Sequence, residues 1–509
     1  MGQSRSAKVQ MRAAVHLLGI EDAPGVVISQ AWYSSSRTFV PALAEGRRAT
    51  PKRRVMTAVL AAAVATRPHI SLDTPALSAA AGTVLRMAIA SSCEAEPVAQ
   101  TQRLPQHMAG TSLELFTGGG GLAWAMHQAG FRHLLVNEVE HRCCETLRKN
   151  MAVDLERLCA QPSEDETRWP LTEDDVHQVD FRPYAGRVDV VAGGVPCQPW
   201  SLGGVHKGYD DKRNLWPELF RCVREARPRA IIAENVKGLL RPSFRDYYKY
   251  ILRELAAPFE ERVKGEDWRD HDLRLAKALE DRDADPERRY DVKYMLVNAA
   301  DYGVPQIRFR VFVVAFRRDL GLADWRFPAP THSENALRRD QASGRYWKRH
   351  KLPSRVEPNP YQLPIVDGML PWRTLRDAIS DLPEPLEPLE AKLEYPGWLH
   401  HYGWPGAREY PGHTPNDLDR PAKTVKAGVH GVPGGETVLR RDDGSMRYMT
   451  VREVARVMTF PDRWRLAGPR GEQMRQLGNA VPVVLGQVMA DAVASALGPS
   501  PNGRAHLES

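Results

Sequence analysis

Apolar and polar positions change rhythm near residue 110. Upstream, alanine, serine and arginine predominate, and only weak helical spacing shows around 54–66 and 76–91. Downstream, "SLELF" (112–116) is a short apolar run ending in glycines, which predicts a strand followed by a tight turn. "GLAWAMHQAG" (121–130) carries apolar residues at helical spacing and stops at Gly130, a suitable C-cap. The pattern continues with a strand at "HLLVNE" (133–138), a helix from "CCETLRKN" and a third strand ending at Asp180 in "QVDF". Further strands are predicted at "VDVVAGG" (188–194) and "AIIAENV" (230–236), each trailed by a helix-like segment. Two more apolar runs, 292–298 and 309–315, flank "ADYGVPQIRFR" and predict an antiparallel pair at a sheet edge. Strands interleaved with helices predict an α/β fold, a mostly parallel sheet covered on both faces.

Between the last two pairs of runs, residues 259–290 are dense in both signs of charge and predict a solvated surface helix. From 318 to 418 periodicity fades, and proline, tryptophan and basic residues take over. Helical spacing returns at "YMTVREVARVMTFP" (448–461), and a second helix follows "LGNAVP". The chain therefore divides into a leader (1–109), an α/β part (110–317), an irregular basic insert (318–418), a helical closing part (419–495) and a tail (496–509).

The chain has 509 residues, 42% apolar and 26% charged, as in ordinary globular proteins, with room for more than one domain. A net charge of +7 favours an anionic partner. Six cysteines form no CxxC pair, which suits a reducing cytoplasm better than secretion. The longest apolar run, "MTAVLAAAVA" (56–65), is about half the ~20 residues a membrane span needs. The first 20 residues share the acid-free, arginine-containing composition of a transit peptide, but read more simply as an unstructured leader. Internal methionines at 87 and 108 raise the prospect of a start further downstream.

Four glycines (118–121) follow the first strand directly, where a missing Cβ lets backbone approach a ligand. Glu138 ends the next strand about 20 residues on, the distance at which nucleotide folds place an acid on ribose hydroxyls. Asp180 is placed to accept from an adenine amino group. Each acid alone reads equally well as a helix N-cap; together they outline an adenosyl pocket. The turn lacks both G-x-G-x-x-G and a P-loop ending, which favours an adenosyl ligand without phosphates. Cys197, in "GGVPCQPWS", lies beyond the 188–194 strand, and Glu234 ends the next one. A lone cysteine is more often inert packing than a nucleophile. Flanking prolines and a carboxylate on the same sheet edge favour catalysis, in a layout suited to methylating an unreactive carbon.

Six segments in order resemble the DNA (cytosine-5)-methyltransferase family over roughly 111–495: "FTGGGG", "GGVPCQPWS", "ENV", "QIRFR" (306–310), "RPAKT" (420–424) and "GNAVP" (478–482). The resemblance implies a Rossmann-like S-adenosylmethionine-dependent fold with a smaller target-recognition domain at 318–418, after which 419–495 returns to the catalytic domain. It makes Cys197 the nucleophile that adds to cytosine C6 and Glu234 the group that holds N3. Arg310 is placed on the base and Arg308 in support. It assigns Phe116, Gly118 and Gly120 to the cofactor loop, Glu138 to the ribose, Asp180 to the adenine, and Asn479 and Val481 to the methionine side. Val139 departs from the family, where an aromatic residue often follows the acid. Arg345, Lys348 and Arg349 of the basic run, interleaved with Tyr346 and Trp347, are expected on DNA, as are Arg420 and Thr424. The implied partner is double-stranded DNA, bound by a monomer without a metal, with or without a cognate restriction endonuclease. The alternatives are a tRNA methyltransferase of the same fold and a catalytically silent DNA-binding regulator; intact Cys197, Glu234, Arg308 and Arg310 argue against the latter.

Overall fold

The computed structural model describes residues 109–160, 167–196, 214–354, 368–386, 397–408, 414–427 and 437–499. Residues 1–108 of the leader, the tail beyond 499 and Cys197 lie outside the described residues.

The first strand, β1 (Gly110–Leu115), leads through the glycine turn into α1 (Gly121–Gln128) and β2 (Phe131–Asn137). Then come α2 (His141–Asn150), β3 (Ala152–Asp154), α3 (Leu155–Ala160), β4 (Trp169–Thr172) and β5 (Val190–Gly194). Helix α4 (Trp216–Ala226) connects to β6 (Ala230–Val236), and α5 (Arg245–Ala256) and α6 (Trp268–Ala278) precede the pair β7 (Tyr290–Asn298) and β8 (Phe309–Arg317). These eight strands form one sheet in the order β3-β4-β2-β1-β5-β6-β8-β7. All neighbours are parallel except β8, which runs antiparallel to both β6 and β7. The antiparallel pair expected at the sheet edge is β7 with β8, and within it β8 is the strand that runs against the rest.

The central strands bury both faces, as parallel sheets must. Val191, Ile231, Ala233, Val311 and Val313 pack beneath α4 and α5. Their neighbours Val190, Ala192, Ile232, Phe312 and Val314 pack on the other face, with Leu122 and Met126 of α1. That second face is finished by a late part of the chain. Helix α7 (Glu334–Ala342), α8 (Arg345–Arg349) and α9 (Leu375–Ile379) are followed by α10 (Val451–Val457), α11 (Arg470–Asn479) and α12 (Val483–Leu497). The stretch 470–497 is apolar enough to be a membrane span by length and composition. Its helix is interrupted before Pro482, the N-cap of α12, and Leu485, Met489 and Val493 pack with α1 in the core.

Three expectations are corrected. No strand ends at Asp180, which lies between two short 3-10 turns; β3 and β4 extend the sheet instead. Their runs are three and four residues long, and β4 contains Pro170, so their apolar signal is weak. The charged 259–290 stretch is helical at 268–278, where Trp268, His271 and Leu275 turn inward. The 318–418 insert is not irregular throughout: it holds α7, α8 and α9, with Leu337, Tyr346, Trp347 and Trp372 in a small core shared with Ala300 of the α/β part.

Candidate active site

Chain order runs from β1 toward β2 and β4 on one side, and from β5 toward β6 on the other. The sheet therefore reverses between β1 and β5, and such reversals open a crevice at the carboxyl ends of the strands. A cavity of about 1160 Å³ lies there.

One end of it is built by the glycine turn. Gly118 has φ +57°, a conformation L side chains rarely adopt, and a Cβ there would meet nothing within 4 Å. Phe116 adopts φ +56° despite its side chain, and it lines the cavity. Glu138 reaches across to this turn: Oε2 accepts from Gly118 N at 2.6 Å, and Oε1 accepts from Val139 N and Glu140 N at 3.0 and 2.8 Å. Burial raises the Glu138 carboxyl, against the pull of these backbone amides. Gly120 is not among the lining residues; it sits just before α1, against Trp464 and Leu147. A Cβ on Gly121 would lie 2.4 Å from the carbonyl oxygen of Val481, so only glycine lets the 480–481 segment close over α1. Asn479 and Val481 both line the cavity.

Asp180 does not join this group. Its carboxylate is half-exposed and accepts from Arg182 Nε and Nη2 at 2.8 and 2.9 Å. The acid that reaches the cavity from the β4 side is Asp175, together with Val176 and His177. Asp175 follows β4 and caps a short turn by accepting from His177 N at 3.1 Å. Once the β4 strand is missed, nothing in "TEDDVHQVD" ranks one aspartate above another.

The other end is built by β6 and β8. Glu234 and Arg310 stand near the ends of adjacent strands, and Arg310 Nε meets Glu234 Oε1 at 2.8 Å. Burial raises the Glu234 carboxyl, with Arg310 and Arg308 opposing. Arg308, two residues before Arg310 and fully buried, points elsewhere. Its guanidinium donates to the carbonyls of Val425 (2.9 Å), Gly478 (2.7 Å) and Ala480 (3.0 Å). It is a clamp on the closing segments, a positioning role. Thr424 Oγ1 donates to Ile307 O at 2.7 Å, and Ala422 bridges to Gln306, so "RPAKT" and "QIRFR" are stitched together. Cys197 lies outside the described residues, but Pro196, the residue before it, lines the cavity. Cys143, Cys144 and Cys222 are buried, and burial pushes each thiol up, away from the reactive thiolate.

The basic run behaves unlike its expectation. Tyr346 and Trp347 are buried, with Tyr346 Oη donating to Asp419 Oδ1 at 2.8 Å, because they form the inward side of α8. Arg345 and Arg349 are both held by Asp340, at 3.0 and 2.8 Å, and Arg420 by Glu334 at 3.2 Å. Lys348 is exposed.

Charge divides the cavity along the sheet. Acids gather where β1, β2 and β4 end: Glu114, Glu138, Glu140 and Asp175. Glu114 is buried, with Oε1 lacking any hydrogen-bond partner, and burial holds its carboxyl well above the usual range. Cations gather beyond β6 and β8, where Lys237, Arg241, Arg310 and Lys426 line the wall. Arg475 lies at the acidic end, paired there with Glu140 and Glu472. Among the described residues, no group of three or more His, Cys, Asp or Glu is placed to hold a metal ion.

Comparison with known proteins agrees with this geometry. The family model for C-5 cytosine-specific DNA methylase matches residues 110–257, 276–385 and 402–495. Type II methyltransferase M.Eco47II of Escherichia coli is 31% identical over 399 residues, covering 75% of this chain and 78% of that protein. Type II methyltransferase M.NgoMIV of Neisseria gonorrhoeae is 28% identical over 392 residues, covering 76% and 98%. The solved structure of the S. pombe Dnmt2 methyltransferase covers 76% of this chain and 98% of its own at 15% identity and a TM-score of 0.43. With the family model spanning most of its length, the chain belongs to the C-5 cytosine-specific DNA methylases and is a DNA (cytosine-5)-methyltransferase.

Proposed function

We propose that the protein methylates C5 of a cytosine flipped out of a specific duplex DNA site, using S-adenosylmethionine and a transient bond from Cys197 Sγ to C6. The carrying observation is Glu234, a buried carboxyl with a raised pKa, held by Arg310 in the same cavity as the glycine turn. The acidic end suits S-adenosylmethionine, whose sulfonium and ammonium outweigh its one carboxylate. Phe116, Gly118, Glu138, Asp175, Asn479 and Val481, all in the cavity lining, are the residues that would hold it. When bound, it supplies an electrophilic methyl group.

The chain's own residues make the base nucleophilic. Cys197 adds as a thiolate to C6, and the ring electrons shift toward C5 and N3 as Glu234 gives its proton to N3. Arg310 fixes Glu234 through the Nε contact and orients the base. After C5 has taken the methyl group, leaving S-adenosylhomocysteine, the C5 proton passes to water, the C6–S bond breaks to release the thiolate, and N3 returns its proton to Glu234. A base in the stack exposes neither face, so it must leave the duplex first.

The names of the relatives support a modification role, either alone or beside a nuclease reading the same site in the cytoplasm. Bisulfite sequencing of DNA from an expressing host tests the reading: a methylated cytosine in one short sequence is expected, absent with Cys197→Ala. Unmethylated DNA with methylated tRNA overturns it.

A further inference from the structure

We infer that Lys237 and Arg241, carried on the turn after β6, hold the two phosphates that flank the flipped cytosine; the inference rests on the function proposed above. A flipped base enters the cavity while its 5′ and 3′ phosphates stay at the mouth, and each brings one negative charge there. The mouth must answer them close to the Glu234–Arg310 pair that meets the base. Lys237 and Arg241 stand three and seven residues beyond Glu234, and both line the cavity. Neither enters an ion pair with a described carboxylate, although Arg310 on the same wall does. Half-buried arginines are ordinarily paired, so Arg241 is held ready for an anion that arrives later.

Phe309 strengthens the assignment. It precedes Arg310 and is 40% exposed at the end of β8, where a large apolar side chain gains nothing from water. The Lys237 ammonium lies 4.9 Å from its ring centroid. The ring holds the ammonium by its π face and leaves the donor hydrogens free, which an acidic partner would have consumed. By contrast, Arg345, Arg349 and Arg420, the cations that the linear sequence marks most strongly, are each engaged by a carboxylate.

The test is the salt dependence of kcat/KM for methyl transfer to mixed-sequence unmethylated genomic DNA, at saturating S-adenosylmethionine. A phosphate contact contributes about 0.9 to the slope of log affinity against log salt. The Lys237→Gln, Arg241→Gln double variant is expected to lose about 1.8 of that slope and to raise KM for DNA. Its Kd for S-adenosylmethionine, measured by calorimetry, is expected to stay at the wild-type value, which also shows that the variant is folded. An unchanged slope overturns the inference, as does a larger loss of slope in Arg345→Gln, Arg349→Gln. So does an equal loss of cofactor affinity, which would place the pair at the other end of the cavity. Failure of the proposed function looks different: the wild-type protein itself would leave DNA unmethylated.

Discussion

Glu234 must be neutral when the base binds, because its proton is needed at N3. Burial raises its carboxyl, and Arg310 limits the rise. A raised acid stays protonated to higher pH than a free one, so turnover should hold below that pKa and decline as pH climbs through it. Glu234→Gln should cost about 10²–10⁴-fold in kcat and abolish that alkaline step in the pH–rate profile, with cofactor affinity retained. A variant that keeps the step would assign it to another group. Glu138 acts through structure as well as contact, since its carboxylate joins three backbone amides across the turn. Glu138→Ala should therefore weaken S-adenosylmethionine binding and lower the melting temperature together, by calorimetry and thermal unfolding. A binding defect without a stability loss would show that the amides find water instead.

Elements meet at the site through close backbone approach. Helix α1 and the segment leading into α12 touch at Gly121, where an added methyl would strike the Val481 carbonyl. Gly121→Ala should destabilise the protein by about 1–3 kcal/mol in denaturant unfolding. Gly471→Ala, with open space around it in α11, should stabilise by about 0.5–1 kcal/mol. Equal effects from the two would rule out the close contact. Arg308, just before β8, holds the same closing segment through the Gly478 and Ala480 carbonyls and a second segment through Val425 O, and Arg308→Ala leaves all three unanswered. A loss of about 3 kcal/mol in stability is expected, with a rise in KM for S-adenosylmethionine larger than the fall in kcat. A pure kcat defect would make Arg308 a catalytic residue after all.

At the scale of the whole molecule, the sheet's second face is completed by helix α12, more than 100 residues after the last strand of the large sheet. A chain ending at Pro469 loses α11 and α12, baring Leu122 and Met126 and removing Asn479 and Val481 from the cavity. It should be insoluble or fail to bind S-adenosylmethionine; soluble protein with wild-type affinity would show that this face closes without α12. The division of charge along the sheet edge is also a property of the whole chain: Glu114, Glu138 and Asp175 come from the β1, β2 and β4 side, and Lys237, Arg241 and Arg310 from the β6 and β8 side.

The amino-acid sequence alone determined the alternation that builds β1, β2, β5, β6, β7 and β8, and it marked Glu138, Glu234 and Arg310. Those signals are local: short apolar runs bounded by glycines and turns, acids at strand ends and, for Arg310, the "QIRFR" segment. Short strands such as β4 carry too few residues to announce themselves, so the linear sequence points to Asp180 and gives Asp175 no mark. Side-chain direction is set by packing against residues far along the chain. Hence only the tertiary structure decided that Arg308 clamps carbonyls, that Tyr346 and Trp347 turn inward, and that Asp340 holds Arg345 and Arg349 while Lys237 and Arg241 line the cavity.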